Sequence, residues 1–158
     1  MPSRRELIQL SSDEVRDFLI EQKTLIIVSN GKDGYPHPMP MWFYADAAGC
    51  LYCTTFSKAQ KVMNFQRDAK AALLVESGDE YPQLKSVLIY ATTEVIDEVD
   101  AVCDALVNIT TKGRDDVSEA EAAKLRAGVA KTAAKRVLLK FMPECYVTWD
   151  HSKLGGKY

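Results

Sequence analysis

Two lysines stand at the point where a helix has least use for them. Ser57-Lys58-Ala59-Gln60-Lys61 follows a strand-like run, Leu51-Tyr52-Cys53-Thr54-Thr55. It opens a stretch to Asp68 that reads as a helix with Val62 and Phe65 on its inner face. The start of a helix is already the positive end of its dipole, so cations there do nothing for the helix itself. Set beside first-turn N–H groups, they are what a phosphate or another anion binds. Ser57, Lys58, Gln60 and Lys61 are therefore a candidate anion site. A plainer reading stands next to it, in which Ser57 and Gln60 form a capping box and the lysines line a solvated face. Capping explains the serine and the glutamine but leaves two cations unexplained.

The neighbouring runs offer a wall. Pro40-Met41-Trp42 and Thr54-Thr55 combine large apolar groups with strand main chain, on which a flat heteroaromatic ring stacks while amides bond its edge. Pro38 and Pro40 place their run on a sheet edge or at a bulge, because proline cannot donate to a ladder. At least one of Trp42, Phe43 and Tyr44 has to be core instead. Cys50 and Cys53 make a C-x-x-C pair, but Cys53 falls inside a strand-like run and no second pair or histidine completes a metal site. Structural thiols and no metal are expected. His37 and His151 lack partners at catalytic or metal spacing and read as turn or interface residues. No Gly-x-Gly-x-x-Gly occurs, so a built-in dinucleotide domain is not expected.

The elements that position these residues are legible in outline. Ser11 with Glu14 forms a capping-box pattern ahead of Val15, Phe18 and Leu19, predicting a helix that leads into a first strand at Leu25-Ile26-Ile27-Val28. A meander follows, with turns at 30–34 and 46–49 and a second strand from Met39 to Tyr44. Beyond the basic helix come Ala71-Ala72-Leu73-Leu74-Val75, a loop at 77–82, and a long strand from Val87 to Ile96. Residues 99–135 change to helical spacing, broken at Gly113, Asp115 and Asp116, with Ser118 and Glu121 capping the second helix. A last strand runs from Val137 past Pro143 to Trp149. Six strands with two helical insertions predict one mainly β domain over 1–158, an antiparallel barrel decorated by helices.

Composition narrows the partners. The 158 residues are 47% hydrophobic and 27% charged, as in an ordinary globular domain. A formal charge of −2 argues against broad nucleic-acid or membrane binding. Positive charge is local, in Ser57 to Arg67 and in Lys131, Lys135, Arg136 and Lys140. Without an apolar run of signal or membrane length, a cytoplasmic location is expected. The ending Trp149-Asp150-His151-Ser152-Lys153-Leu154-Gly155-Gly156 is not core material. Such a tail frays or crosses to another subunit, and Trp149 favours crossing.

Gly34-Tyr35-Pro36-His37-Pro38-Met39-Pro40-Met41-Trp42-Phe43 resembles the second strand of the pyridoxamine 5′-phosphate oxidase-like split-barrel proteins. Thr54 to Asp68 resembles their cofactor-phosphate segment. Leu73-Leu74-Val75-Glu76-Ser77-Gly78 and the ending Trp149 to Gly155 are similar to the actinobacterial flavin/deazaflavin oxidoreductase branch. The resemblance spans nearly the whole chain and is weakest over 99–135. It implies a split β-barrel of the FMN-binding type, Greek-key-like, assembled as a homodimer with two cofactors in grooves between subunits. By position, it implies that Ser57, Lys58, Gln60 and Lys61 hold a phosphate, and that Met41, Trp42, Thr54 and Thr55 contact the ring, largely through main chain. Trp149 and Lys153 would come from the other chain, with the tail 149–158 at the dimer interface.

Members use FMN, coenzyme F420 or occasionally haem, and some only carry their ligand. The ending inclines the resemblance to F420, whose acidic tail calls for further cations; Lys58, Lys61, Lys131, Lys135 and Lys153 are candidates. The implied activity is hydride transfer from bound flavin or deazaflavin to a small unsaturated or carbonyl substrate. The alternative is a non-catalytic carrier of flavin, haem or lipid. Lys70 stands where members often have proline, which affects the turn and not the site. No arginine follows Lys140, which argues against pyridoxamine phosphate oxidation itself.

Overall fold

Alternation along the strands decides which way the sheet curls. The structure, a computed structural model, describes residues 3–156. Its strands are β1 (Thr24–Asn30), β2 (Pro36–Trp42), β3 (Tyr44–Ala45), β4 (Leu51–Phe56), β5 (Lys70–Ser77), β6 (Lys85–Ile96) and β7 (Arg136–Asp150). They form one antiparallel sheet in the order β2-β1-β5-β6-β7-β4-β3. Inward residues of β1 (Leu25, Ile27) and of β4 (Leu51, Cys53) are fully buried in one core. These strands lie next to opposite edges, so they share a core only because the sheet curls round on itself. The result is the split barrel that the resemblance implied.

Helices α1 (Arg4–Leu7), α2 (Ser12–Glu21), α3 (Gln60–Arg67), α4 (Val99–Thr110) and α5 (Glu119–Ala133) complete the chain. The α2 capping box forms as the spacing predicts, with Ser11 and Glu14 exchanging bonds, and buries Phe18 and Leu19. α3 plugs one end of the curl, where Phe65 meets Phe141 edge-on at 5.7 Å and Asn64 donates to Ser29 Oγ at 2.9 Å. α4 and α5 pack a second core on the outer face of β4 and β7, around Val102, Ala105, Ala133 and Leu138.

Two expectations need correction. The run from Met39 to Tyr44 is two strands and not one, because Phe43 leaves the ladder and is wholly buried between them, making seven strands. The basic helix starts later than its composition suggests. Ala59 N–H bonds Phe56 O at 3.0 Å, so Ser57 and Lys58 form a turn and Ala59, which offers no side-chain cap, is the N-cap. The predicted capping box of Ser57 and Gln60 is therefore absent, and Gln60 bonds Asn64 Oδ1 instead, at 3.0 Å. The last strand reaches Trp149 as expected, where it pairs with Ser86, and within the chain His151–Leu154 follow as a single 3-10 turn. Residues 157–158 of that predicted tail lie outside the described residues. Pro143, which cannot donate to the ladder, sits at a bulge where Tyr90 pairs with Cys145 and Ala91 with Pro143.

Lys112, in the turn between α4 and α5, fastens this helical hairpin to the barrel. Its Nζ donates to Gln22 O at 2.6 Å and stands 3.3 Å over the Phe43 ring. Burial pushes its pKa down to about 8, against a smaller opposing effect from Cys53. An unfolded lysine titrates near 10.4, so between these values the unfolded chain binds more protons and stability rises with pH. The side chain is only part-buried, and solvent screening together with the aromatic face reduces the gain to about 1 kcal/mol. Urea midpoints taken at pH 7.5 and 10 should show this rise in the parent relative to Lys112→Met; parallel pH profiles would reject it.

Candidate functional site

The end of β4 is where the sequence placed its chemistry, and the strand period sorts those residues onto two faces. Thr55 points into the barrel with Cys53, whereas Thr54 and Phe56 point out towards the side that α4 and α5 cover. Lys61, on the first turn of α3, reaches inward. Its Nζ bonds Thr55 Oγ1 at 3.1 Å and the residue is 8% exposed. Burial lowers its pKa from the usual lysine range, with Cys53 opposing and Arg136 adding a smaller push. No carboxylate pairs with it among the described residues. A buried ammonium with one neutral partner is poorly compensated, because its desolvation is answered by a single hydroxyl.

Arg136 opens β7 directly opposite Phe56. Its Nη1 donates to Thr54 O at 3.3 Å and Thr54 Oγ1 at 3.4 Å, and its plane lies over Phe56 at 4.4 Å. Its Nε is buried without a partner, as is Thr93 Oγ1. Ser57 N–H bonds Lys135 O at 3.1 Å, which brings the exposed Lys58 and Lys135 to the same strand end. Sequence reasoning noted Arg136 only as one charge in a basic stretch. Its signal was the buried Val137 beside it, whose alternation turns Arg136 to the opposite face.

Strand alternation sorts the other predicted residues in the same way. Met41 packs against the barrel core while Trp42, next to it, is 70% exposed on the outer face. Met41 with Trp42, and Thr54 with Thr55, are thus each divided between two faces by alternation, and β2 and β4 lie near opposite ends of the strand order. What the strands do share is open main chain: β2 is an edge, and β3 covers only Leu51 and Tyr52 of β4, leaving that side of 53–56 unpaired in the sheet. Trp149 lies in β7 at the end away from Thr55, and Lys153 is held by Gln9 O at 2.8 Å and Glu14 Oε2 at 2.7 Å of its own chain. Lys153 and the Ser11 amide hold the Glu14 carboxyl down to about 2. Lys153 therefore does not join Lys58, Lys61 and Lys135 within this chain.

Cys53 is buried inside β4, where desolvation pushes its thiol well up, and all four cysteines are free thiols. His151 Nδ1 meets Tyr81 O at 3.0 Å, a contact between two 3-10 turns that lie 70 residues apart in sequence. A groove of about 760 Å³ lies at the other end of β4, between α2, the 45–49 turn and 146–148 of β7. Its floor is apolar (Leu10, Val15, Leu19, Val147), and Asp46 at its rim is tied to the Cys50 N–H and the Tyr52 hydroxyl. Six residues of strand separate it from Lys61, so it is a different place from the cation cluster.

A model of the pyridoxamine 5′-phosphate oxidase family matches residues 11–147. The chain belongs to that family. Its solved relatives include the conserved hypothetical protein Rv2991 from Mycobacterium tuberculosis, 27% identical, with a TM-score of 0.86 over 99% of this chain and 95% of that one. An F420 reductase shares the fold at 18% identity and a TM-score of 0.61, over 92% of this chain and 98% of that one. HutZ, the haem storage protein from Vibrio cholerae, shares it at 15% identity and 0.58, over 89% and 97%. No curated protein matches the chain. Within this pyridoxamine 5′-phosphate oxidase family member no helix among the described residues is long and apolar enough to cross a membrane.

Proposed function

We propose that the chain is a flavin- or deazaflavin-dependent oxidoreductase in which Lys61 marks the phosphate end of the cofactor. The observation that carries this reading is the buried Lys61 ammonium, supported by one neutral hydroxyl and no carboxylate. An anion is the group that would compensate it, through a charge-assisted bond. Thr55, Ser57 and Lys58 lie at the same strand end and would complete the grip, while Gln60 acts through Asn64. The cofactor, when bound, supplies the hydride; the chain's own part is to hold the phosphate and offer strand amides along the open side of β4. FMN and F420 both carry a phosphate, and the ending of the sequence inclines the proposal to F420. The substrate is a small unsaturated or carbonyl compound.

A second copy of the chain belongs to this proposal. Trp42, Ile26, Leu74, Leu88, Tyr90 and Trp149 share the outward face of the sheet, and neither the barrel core nor the core under α4 and α5 includes them. A dimer would bury that face. Leu74→Lys should convert a dimer into a monomer in light scattering; an unchanged mass removes the outer face as the interface. A carrier reading is favoured only by the likeness to the haem storage protein, and it differs in outcome. An oxidoreductase should bind FMN or F420 in titration and, once reduced, pass its electrons to at least one of a panel of enones and quinones. Tight binding with no turnover leaves a carrier, and no binding of either cofactor defeats the oxidoreductase and the flavin carrier alike, leaving a haem or lipid carrier.

A further inference from the structure

Three cations among the described residues are withdrawn from solvent without an ion pair: Lys61, Lys112 and Arg136. Lys112 is accounted for by Gln22 O and the face of Phe43. Lys61 and Arg136 flank one strand end, from the inner and outer face of β4. Arg136 is already held. Nη1 is spent on Thr54, the plane rests on Phe56, and the guanidinium cannot turn without losing both. What remains is its Nε side, where a buried N–H has no partner. The Nε–Nη2 edge of arginine presents two parallel donors that match the two oxygens of a carboxylate or phosphate. Helix-dipole stabilisation explains Lys131 and Lys135 at the end of α5, but not Arg136, which begins the next strand.

We infer that Arg136 is a second anion-binding residue, taking a carboxylate or phosphate group that is distinct from the one at Lys61. The ligand class is then a molecule with at least two anionic groups astride the end of β4, with Lys58 and Lys135 adding charge at the rim. This rests on Lys61 being an anion site, and it adds a requirement that a single phosphate does not meet. Arg136 selects between ligands of one and of several anionic groups.

The test uses the full chain and two inorganic probes, orthophosphate and tripolyphosphate, titrated by calorimetry at constant ionic strength. Tripolyphosphate should bind the parent at least about tenfold more tightly, as one added bidentate contact provides. Arg136→Lys keeps the charge and loses the fork, and should reduce that ratio to about twofold, the statistical advantage of two equivalent terminal phosphoryl groups. Lys61→Met should weaken both probes. Equal binding of the probes by the parent, or a ratio unchanged in a folded Arg136→Lys chain, overturns the inference. If FMN and F420 fail to bind while the ratio behaves as described, the cofactor proposal falls and the second anion site stands.

Discussion

Lys61→Met should bind phosphate-bearing cofactors about ten- to a hundredfold more weakly than the parent and yet unfold no more easily. The two halves have one cause. In the free chain the Lys61 ammonium is desolvated against Thr55 Oγ1 and the Cys53 thiol, with no anion to answer it. Replacing an uncompensated buried charge with an apolar side chain of like length is neutral or stabilising. In the bound chain the same ammonium meets a phosphate, and a charge-assisted bond contributes about 1.5–3 kcal/mol. A purely structural lysine would behave in the opposite way, with stability lost and affinity kept.

The pH dependence separates the two cases further. The charged form binds the anion, so affinity should fall as pH rises through the depressed pKa of Lys61, earlier than for an ordinary lysine. In Lys61→Met that arm should vanish. Calorimetric titrations at several pH values, beside thermal melts of both chains, are sufficient. A variant that melts lower and binds as before would remove Lys61 from the site.

Element type was legible wherever one local pattern decided it. Ser11 with Glu14 placed α2, alternation placed β6, and Ser118 capped α5. The direction of a side chain was legible only where a period fixed it. Lys61 was visible as a cation at a helix start, but whether it faced solvent or barrel depended on where the helix began. The turn at 57–58, closed by main-chain bonds to Phe56 and Lys135, moved that start. Arg136 and Thr54 are 82 residues apart in sequence, and only strand pairing introduces them. Lys153 and Glu14 are 139 apart, and no spacing rule could have shown the tail folding onto its own first helices. Of the aromatic trio, sequence could say that one was core and not which one.

Phe43 is that one, and Phe43→Ala should be among the most damaging single changes available to the barrel. The ring is completely buried at the break between β2 and β3, in the core that also holds Leu25, Leu51 and Cys53. Emptying a phenyl group from such a place costs about 3–5 kcal/mol, of which the unfilled cavity is a part. For a domain of this length that corresponds to a fall in melting temperature of roughly 6–20 °C. The ring also carries Lys112 on its face at 3.3 Å, and through Lys112 it steadies both the α4–α5 hairpin and the carbonyl that ends α2. Loss of the ring therefore leaves a half-buried cation with one carbonyl for company, so the damage should extend beyond volume. A double-mutant cycle with Lys112→Met isolates this part, with an expected coupling of about 0.5–2 kcal/mol. The cycle is best run in the milder Phe43→Leu background, which keeps the chain folded. Strict additivity there would show that Lys112 gains nothing from the ring, and that the helical insertion is held to the barrel by its own apolar contacts alone.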